Sequence, residues 1–137
     1  MGLFESGEEF GKMLSGFFNM LAKDENIAKK LLASKLTIRF KYHDPDVCIY
    51  IDCSGDEIKV KVNDYDSPAE VEMEMSADIA HKFWFGKVNL MMALTRGQMK
   101  AKGPVPKILK LLPVIKPAYS LYPKYLKENG YEKYIIY

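Results

Sequence analysis

Apolar positions along the chain change their period twice. Over 3–21, Leu3, Phe10, Met13, Leu14, Phe17, Phe18 and Leu21 recur at three- and four-residue spacing, with Glu8, Glu9 and Lys12 between them, which predicts an amphipathic helix. A second helix over 27–33 takes Asp24 or Asn26 as its cap and turns Ile27, Leu31 and Leu32 to one side. The period then drops to two. Leu36, Ile38, Phe40 and Tyr42 alternate with Lys35, Thr37, Arg39 and Lys41, a strand with one buried face. After a turn at 43–46 the same alternation returns in Val47, Ile49, Ile51 and Cys53. A second turn at 54–56 leads to Ile58, Val60 and Val62, so these three strands predict an antiparallel meander.

Residues 63–68 read as a loop, rich in side chains that bond or fix their own backbone. Val71, Met73 and Met75 alternate with Glu70, Glu72 and Glu74 as a fourth strand. Ser76, with Asp78 in the first turn, caps a helix through Trp84 that Gly86 closes, and a further helix over 88–95 ends at Gly97. Met99 and Ala101 form a fifth strand, and Pro104 opens a leucine-rich helix to 112. Beyond it, Pro113, Pro117 and Pro123 are expected to break the helix into short pieces. Each strand has one apolar and one polar face. This predicts an α+β fold, a five-stranded twisted sheet (meander plus two further strands) with helices over one face and the polar face exposed. The apolar excess over 83–112 exceeds what helices need to seat themselves on a sheet, which points to an apolar cavity between the layers.

The order Phe83, Gly86, Ala93, Gly97, Met99, Lys100, Gly103 and then Ile108, Leu109 and Leu112 resembles the carboxy-terminal signature of the sterol carrier protein type 2 family, small lipid-binding domains. By element order the resemblance covers roughly 36–126, and its motif lies within 76–112. Pro104 departs from it, standing where the family usually has an acidic residue. The resemblance implies a twisted five-stranded sheet, helices on one face and a lipid cavity between the layers.

With 137 residues the chain is expected to be one domain, with N-terminal helices over 1–34, sheet and core helices over 35–112, and a proline- and tyrosine-rich segment over 113–137. Tyr119, Tyr122, Tyr125, Tyr131, Tyr134 and Tyr137 recur in multiples of three in that segment, which reads as a lid, a membrane-interface contact or a packed tail. No apolar run approaches a membrane span and the amino terminus lacks a signal-peptide layout, so the expected compartment is the cytoplasm. Charge is divided unevenly. Residues 1–80 carry 9 Lys or Arg against 16 Asp or Glu, a net of −7, and residues 81–137 carry 11 against 2, a net of +9. The basic half either meets an anionic partner or balances the acidic half within one fold.

Reactive chemistry is sparse. His43 and His81 have no partner at a recognised metal-ligand spacing, no nucleotide or nucleophile-elbow motif occurs, and no metal or cofactor is expected. Cys48 and Cys53 fall on opposite faces of one strand, roughly 16 Å apart, too far to bridge. Cys48, near His43, is the one conceivable nucleophile, with a structural thiol the default. Nucleic-acid binding is disfavoured because only Arg39 and Arg96 supply guanidinium groups and no aromatic cluster lies on the sheet surface.

The reading that follows is non-enzymatic binding or transfer of an amphipathic lipid, such as a fatty acid, an acyl ester or a sterol-like molecule. Its wall is expected from Phe83, Trp84, Leu90, Met91, Leu94, Met99, Ile108, Leu112, Tyr119 and Tyr122, with Lys100, Lys102 or Lys107 near an anionic headgroup. Transient contact with an anionic membrane is a further expectation, and the oligomeric state, a dimer included, stays open. Two alternatives are an enzyme or accessory subunit of acyl-CoA metabolism and a protein-interaction module with a filled core.

Overall fold

The computed structural model describes residues 2–136. Tyr137, the last of the spaced tyrosines, lies outside them. Five strands form one open sheet: β1 (Thr37–His43), β2 (Val47–Asp52), β3 (Lys59–Val62), β4 (Val71–Ser76) and β5 (Met99–Lys102). Their order is β3-β2-β1-β4-β5, with β1 and β4 parallel and the other neighbours antiparallel. The expected meander is β1-β2-β3. Register keeps the apolar faces together, since Ile38 pairs with Ile51 and Val71, and Phe40 with Ile49 and Met73.

Placing β4 beside β1 requires the chain to leave the β3 edge and cross the outer face of the sheet. Residues 63–70 do so, and polar side chains of the strands tie them down. Arg39 on β1 donates to the carbonyls of Asp64 and Ser67, the Cys48 thiol donates to the Asp64 carbonyl at 3.4 Å, and the Tyr50 hydroxyl donates to the Pro68 carbonyl at 2.8 Å. The expectation of a fully exposed polar face is therefore corrected. Arg39, Cys48 and Tyr50 are buried beneath the crossing loop.

Helices cover the other face. The α1 helix (Gly7–Ala22) lies over β2 and β3. It starts later than its apolar period suggests because Ser6 accepts the Glu9 amide as N-cap. Gly11 permits close approach, since a Cβ there would stand 2.9 Å from a Val47 methyl. Asp24 caps α2 (Glu25–Ser34), Ser76 caps α3 (Ala77–Trp84) and Asn89 caps α4 (Leu90–Thr95). Gly86 and Gly97, both at positive φ, end the last two as expected.

The leucine-rich stretch after Gly103 is not one helix. It forms α5 (Val105–Leu109) and α6 (Leu112–Ile115), because Pro113 in the first turn of α6 has no amide hydrogen with which to continue α5. A second departure runs the other way. Pro117 precedes α7 (Ala118–Glu128), but Pro123 lies inside that helix without ending it. Burial of Tyr122, Tyr125 and Leu126 on one face of α7 outweighs the lost hydrogen bond.

Candidate functional site

Between the sheet and the helices lies a cavity of about 100 Å³, walled almost entirely by apolar atoms. The strands supply Ile38, Phe40, Tyr42, Ile51, Val60, Met73, Met75 and Met99, the side chains that alternation turns inward, with Cys53 just past β2. Phe18 and Leu21 of α1 and Leu31 of α2 form one flank. Ala80, Phe83 and Trp84 of α3 form the roof with Leu90 of α4, and Ile108, Leu111, Leu112 and Ile115 of α5 and α6 close the remaining side. The lining residues that keep partial exposure are Leu31, Ile51, Ile58, Val60, Leu112 and Ile115, with Phe40. They mark the mouth, where α2, α6 and the β2–β3 hairpin meet.

Of the residues expected to form the wall, Phe83, Trp84, Leu90, Met99, Ile108 and Leu112 converge on this cavity. Four stand elsewhere. Met91 is 53% exposed on the outer side of α4, and Leu94 is half-buried away from the lining. Tyr119 packs edge-on against Phe83 behind the wall, at 5.7 Å between ring centroids, and Tyr122 is buried between α1 and α3 against Phe17 and Phe85. The six-residue α4 can turn only one narrow stripe inward, Leu90 and Ala93, which leaves Met91 and Leu94 off the wall, and Tyr119 and Tyr122 belong to α7, which supplies none of the lining. Sequence reasoning passed over Phe18, Leu31, Ile58 and Leu111, each of which lies in an apolar period yet outside the 83–112 stretch or the chosen positions within it.

The lysines expected at a headgroup lie on the far side of the sheet or in an ion pair. Lys100 and Lys102 stand opposite Glu74 and Glu72 in the β4–β5 register, and Lys107 pairs with Glu70 at 2.6 Å. On that outer face Arg39 also binds Glu72 at 2.8 Å and, through that hydrogen bond, lowers the carboxyl's pKa. Basic β1 and β5 thus flank acidic β4, so much of the charge asymmetry along the chain cancels across the sheet.

Neither thiol has the setting of a nucleophile. Burial raises both, Cys53 to about 11, and Cys48 faces a backbone carbonyl instead of a base. His43 turns to Asp44 at the surface. His81 is fully buried, with Nδ1 2.7 Å from the Tyr122 hydroxyl and Nε2 2.7 Å from the Tyr134 carbonyl. A neutral ring donating from Nε2 and accepting at Nδ1 satisfies both contacts, in keeping with the downward shift that burial imposes on its pKa. It fastens the C-terminal segment to α3. Among the described residues no group of histidine, cysteine and carboxylate side chains is placed to hold a metal ion, and no helix is long and apolar enough to cross a membrane.

The two-layer α+β domain thus holds between sheet and helices a cavity whose wall suits apolar groups. The chain belongs to the SCP-2 sterol transfer family, whose model matches residues 17–116, and lipid binding or transfer is the general role of that family. No curated protein matches the chain by sequence. Among solved structures, sterol carrier protein 2 from Yarrowia lipolytica in its apo form shares 22% identity, with 87% of this chain and 98% of that one covered and a TM-score of 0.63. Sterol carrier protein domain 2 of Helicoverpa armigera shares 21%, covering 87% and 94%, with a TM-score of 0.65. The sec-alkylsulfatase Pisa1 from Pseudomonas sp. shares 16% over 63% of this chain but only 14% of its own, with a TM-score of 0.52. At these identities the structural likenesses show the fold.

Proposed function

We propose that the protein carries an amphipathic lipid with its aliphatic part in the apolar cavity, and that it does so without catalysing a reaction on it. The observation that carries this reading is the cavity itself, whose wall offers an acyl chain burial worth about 25 cal/mol per Å² and is apolar apart from the side chains of Tyr42, Cys53 and Trp84. Both thiols being buried and raised supports the non-enzymatic part. Methionines 73, 75 and 99 in the wall suit varied ligand shapes because their side chains repack readily.

At about 100 Å³ the cavity is smaller than the roughly 300–1,000 Å³ of pockets that enclose a drug-sized ligand. Loading therefore requires the wall to move, and α5 and α6 are the part built to yield. They have five and four residues, no side-chain caps, and α6 buries none of its residues fully. The polar end of the ligand then sits at the mouth, where Lys116 adjoins Ile115, while Lys107 is paired with Glu70 and Lys100 and Lys102 stand opposite Glu74 and Glu72 on the outer face.

A second reading, a domain that presents lipid to an enzyme, is favoured by the recurrence of this fold as a small part of the alkylsulfatase chain. Extraction of the purified protein with organic solvent, followed by mass spectrometry of the lipids and native mass spectrometry of the protein, tests the carrier reading. Lipid at close to one per chain is the expected result. A lipid-free protein that also fails to take up a fluorescent fatty acid contradicts it and leaves a filled-core interaction module.

A further inference from the structure

Met91 and Met92 are adjacent on α4 and 53% and 48% exposed, the one neighbouring pair among the large exposed apolar residues described. The opposite side of the same helix is fixed, since Leu90 and Ala93 are buried and Leu90 lines the cavity. Asn89 caps the helix and left-handed Gly86 and Gly97 bound it, so this surface is preformed. Lys87 and Arg96 flank it, both exposed, and neither has a carboxylate within 4 Å among the described residues. The sequence around it is one-signed. From 79 to 127 there is no Asp or Glu and there are ten Lys or Arg.

From these observations we infer that the outer face of α4 is a docking site for an anionic lipid bilayer, with Met91 and Met92 entering the interface and Lys87 and Arg96 meeting the headgroups. Unpaired cations beside a small apolar surface are what a negatively charged bilayer rewards. A protein partner fits less well. Two half-exposed methionines are a small fraction of the roughly 800 Å² per side in a stable protein interface, whereas a bilayer demands no matching shape. The other amphipathic element, α1, is unsuited because Phe10, Met13, Leu14, Phe17, Phe18 and Leu21 are all consumed by the core. Docking through α4 also brings a cavity-wall helix to the surface that would supply or receive lipid. This purpose rests on the carrier reading, but the docking itself does not.

The test is co-sedimentation of the full chain with vesicles of phosphatidylcholine alone and with phosphatidylglycerol added. Binding is expected only to the anionic vesicles, to weaken with added salt, and to fall roughly fivefold for each cation removed, the equivalent of about 1 kcal/mol per residue. Met91→Ser/Met92→Ser should reduce it at unchanged melting temperature, because both side chains are exposed. Lys87→Glu/Arg96→Glu should abolish it while leaving uptake of a fluorescent fatty acid from aqueous solution intact, which separates failure of docking from failure of the carrier reading. Equal binding to both vesicle types, or anionic binding that survives both double variants, overturns the assignment. So does a dimer in sedimentation velocity that Met91→Ser/Met92→Ser dissolves, since the face would then belong to a second copy.

Discussion

The Tyr122 hydroxyl lies 2.7 Å from Nδ1 of His81, joining α7 to α3 in a region where both residues are fully buried. Removing the hydroxyl in Tyr122→Phe leaves a buried ring nitrogen unpaired, at a cost of about 1–3 kcal/mol in urea denaturation. The same burial lowers the pKa of His81 below its ordinary 6.5. Above about pH 6.5 the ring is neutral in both folded and unfolded chains, and its burial is fully stabilising. As the pH falls through that value the unfolded chain takes up the proton first. Stability should therefore drop between about pH 6.5 and the lower folded pKa, and His81→Phe should flatten that part of the profile. A profile unchanged by the substitution would refute the role given to His81.

Gly103, at φ +103°, separates β5 from α5, and a Cβ there would collide with the Glu70 carbonyl. Gly103→Ala meets both the conformational and the steric penalty and should cost about 1–3 kcal/mol or more. The corresponding change at Gly55, which has open space around it and no positive φ, should be close to neutral by thermal denaturation.

Arg39 is the anchor of the crossing loop on the outer face. Arg39→Ala strands Glu72 and two carbonyls and should cost about 3–5 kcal/mol in chemical denaturation. The cavity is on the opposite face, so the fraction that remains folded should bind a fatty acid with unaltered affinity. A selective loss of binding with stability retained would be the contrary result.

Lys100 and Lys102 provide a sharper test of where the polar end of the ligand lies. Lys100→Gln/Lys102→Gln removes the cations opposite Glu74 and Glu72 without touching the cavity, and should leave fatty-acid affinity within about twofold. Lys116→Gln, at the mouth, should weaken an anionic ligand several-fold and a neutral one hardly at all. Reversal of the two effects in a fluorescence titration would move the headgroup to the outer face.

Much of this arrangement was legible in the chain. The period-two runs located all five strands and which side chains face inward, because a half-buried strand writes its burial directly into alternation. The Ser76 cap and the terminal glycines Gly86 and Gly97 fixed α3 and α4 to within a few residues, while the Asn89 cap of α4 emerged only in the structure. The crossing of the outer face was not legible. Nothing local announces that Arg39, Cys48 and Tyr50 will be buried, since their partners are backbone carbonyls 16 to 28 positions away in a loop of ordinary turn composition. Pro123 misled for the same reason in reverse: a local rule against interior proline yielded to packing by Tyr122, Tyr125 and Leu126. Part of the site was also hidden, because Phe18, Leu31 and Ile58 reach the cavity from segments remote from the 83–112 stretch.

Trp84 is the single tryptophan of the chain and lines the cavity, which makes it a built-in reporter of occupancy. Bromine quenches indole fluorescence only near contact, so titration with a fatty acid brominated on its chain reads directly whether aliphatic groups enter between sheet and helices. Saturable quenching at one ligand per chain, reversed by an unbrominated competitor and lost when Ala80→Phe fills the void, is the predicted result. Emission that the brominated fatty acid leaves unchanged, while the ligand is shown to bind, would place the lipid elsewhere and contradict the account.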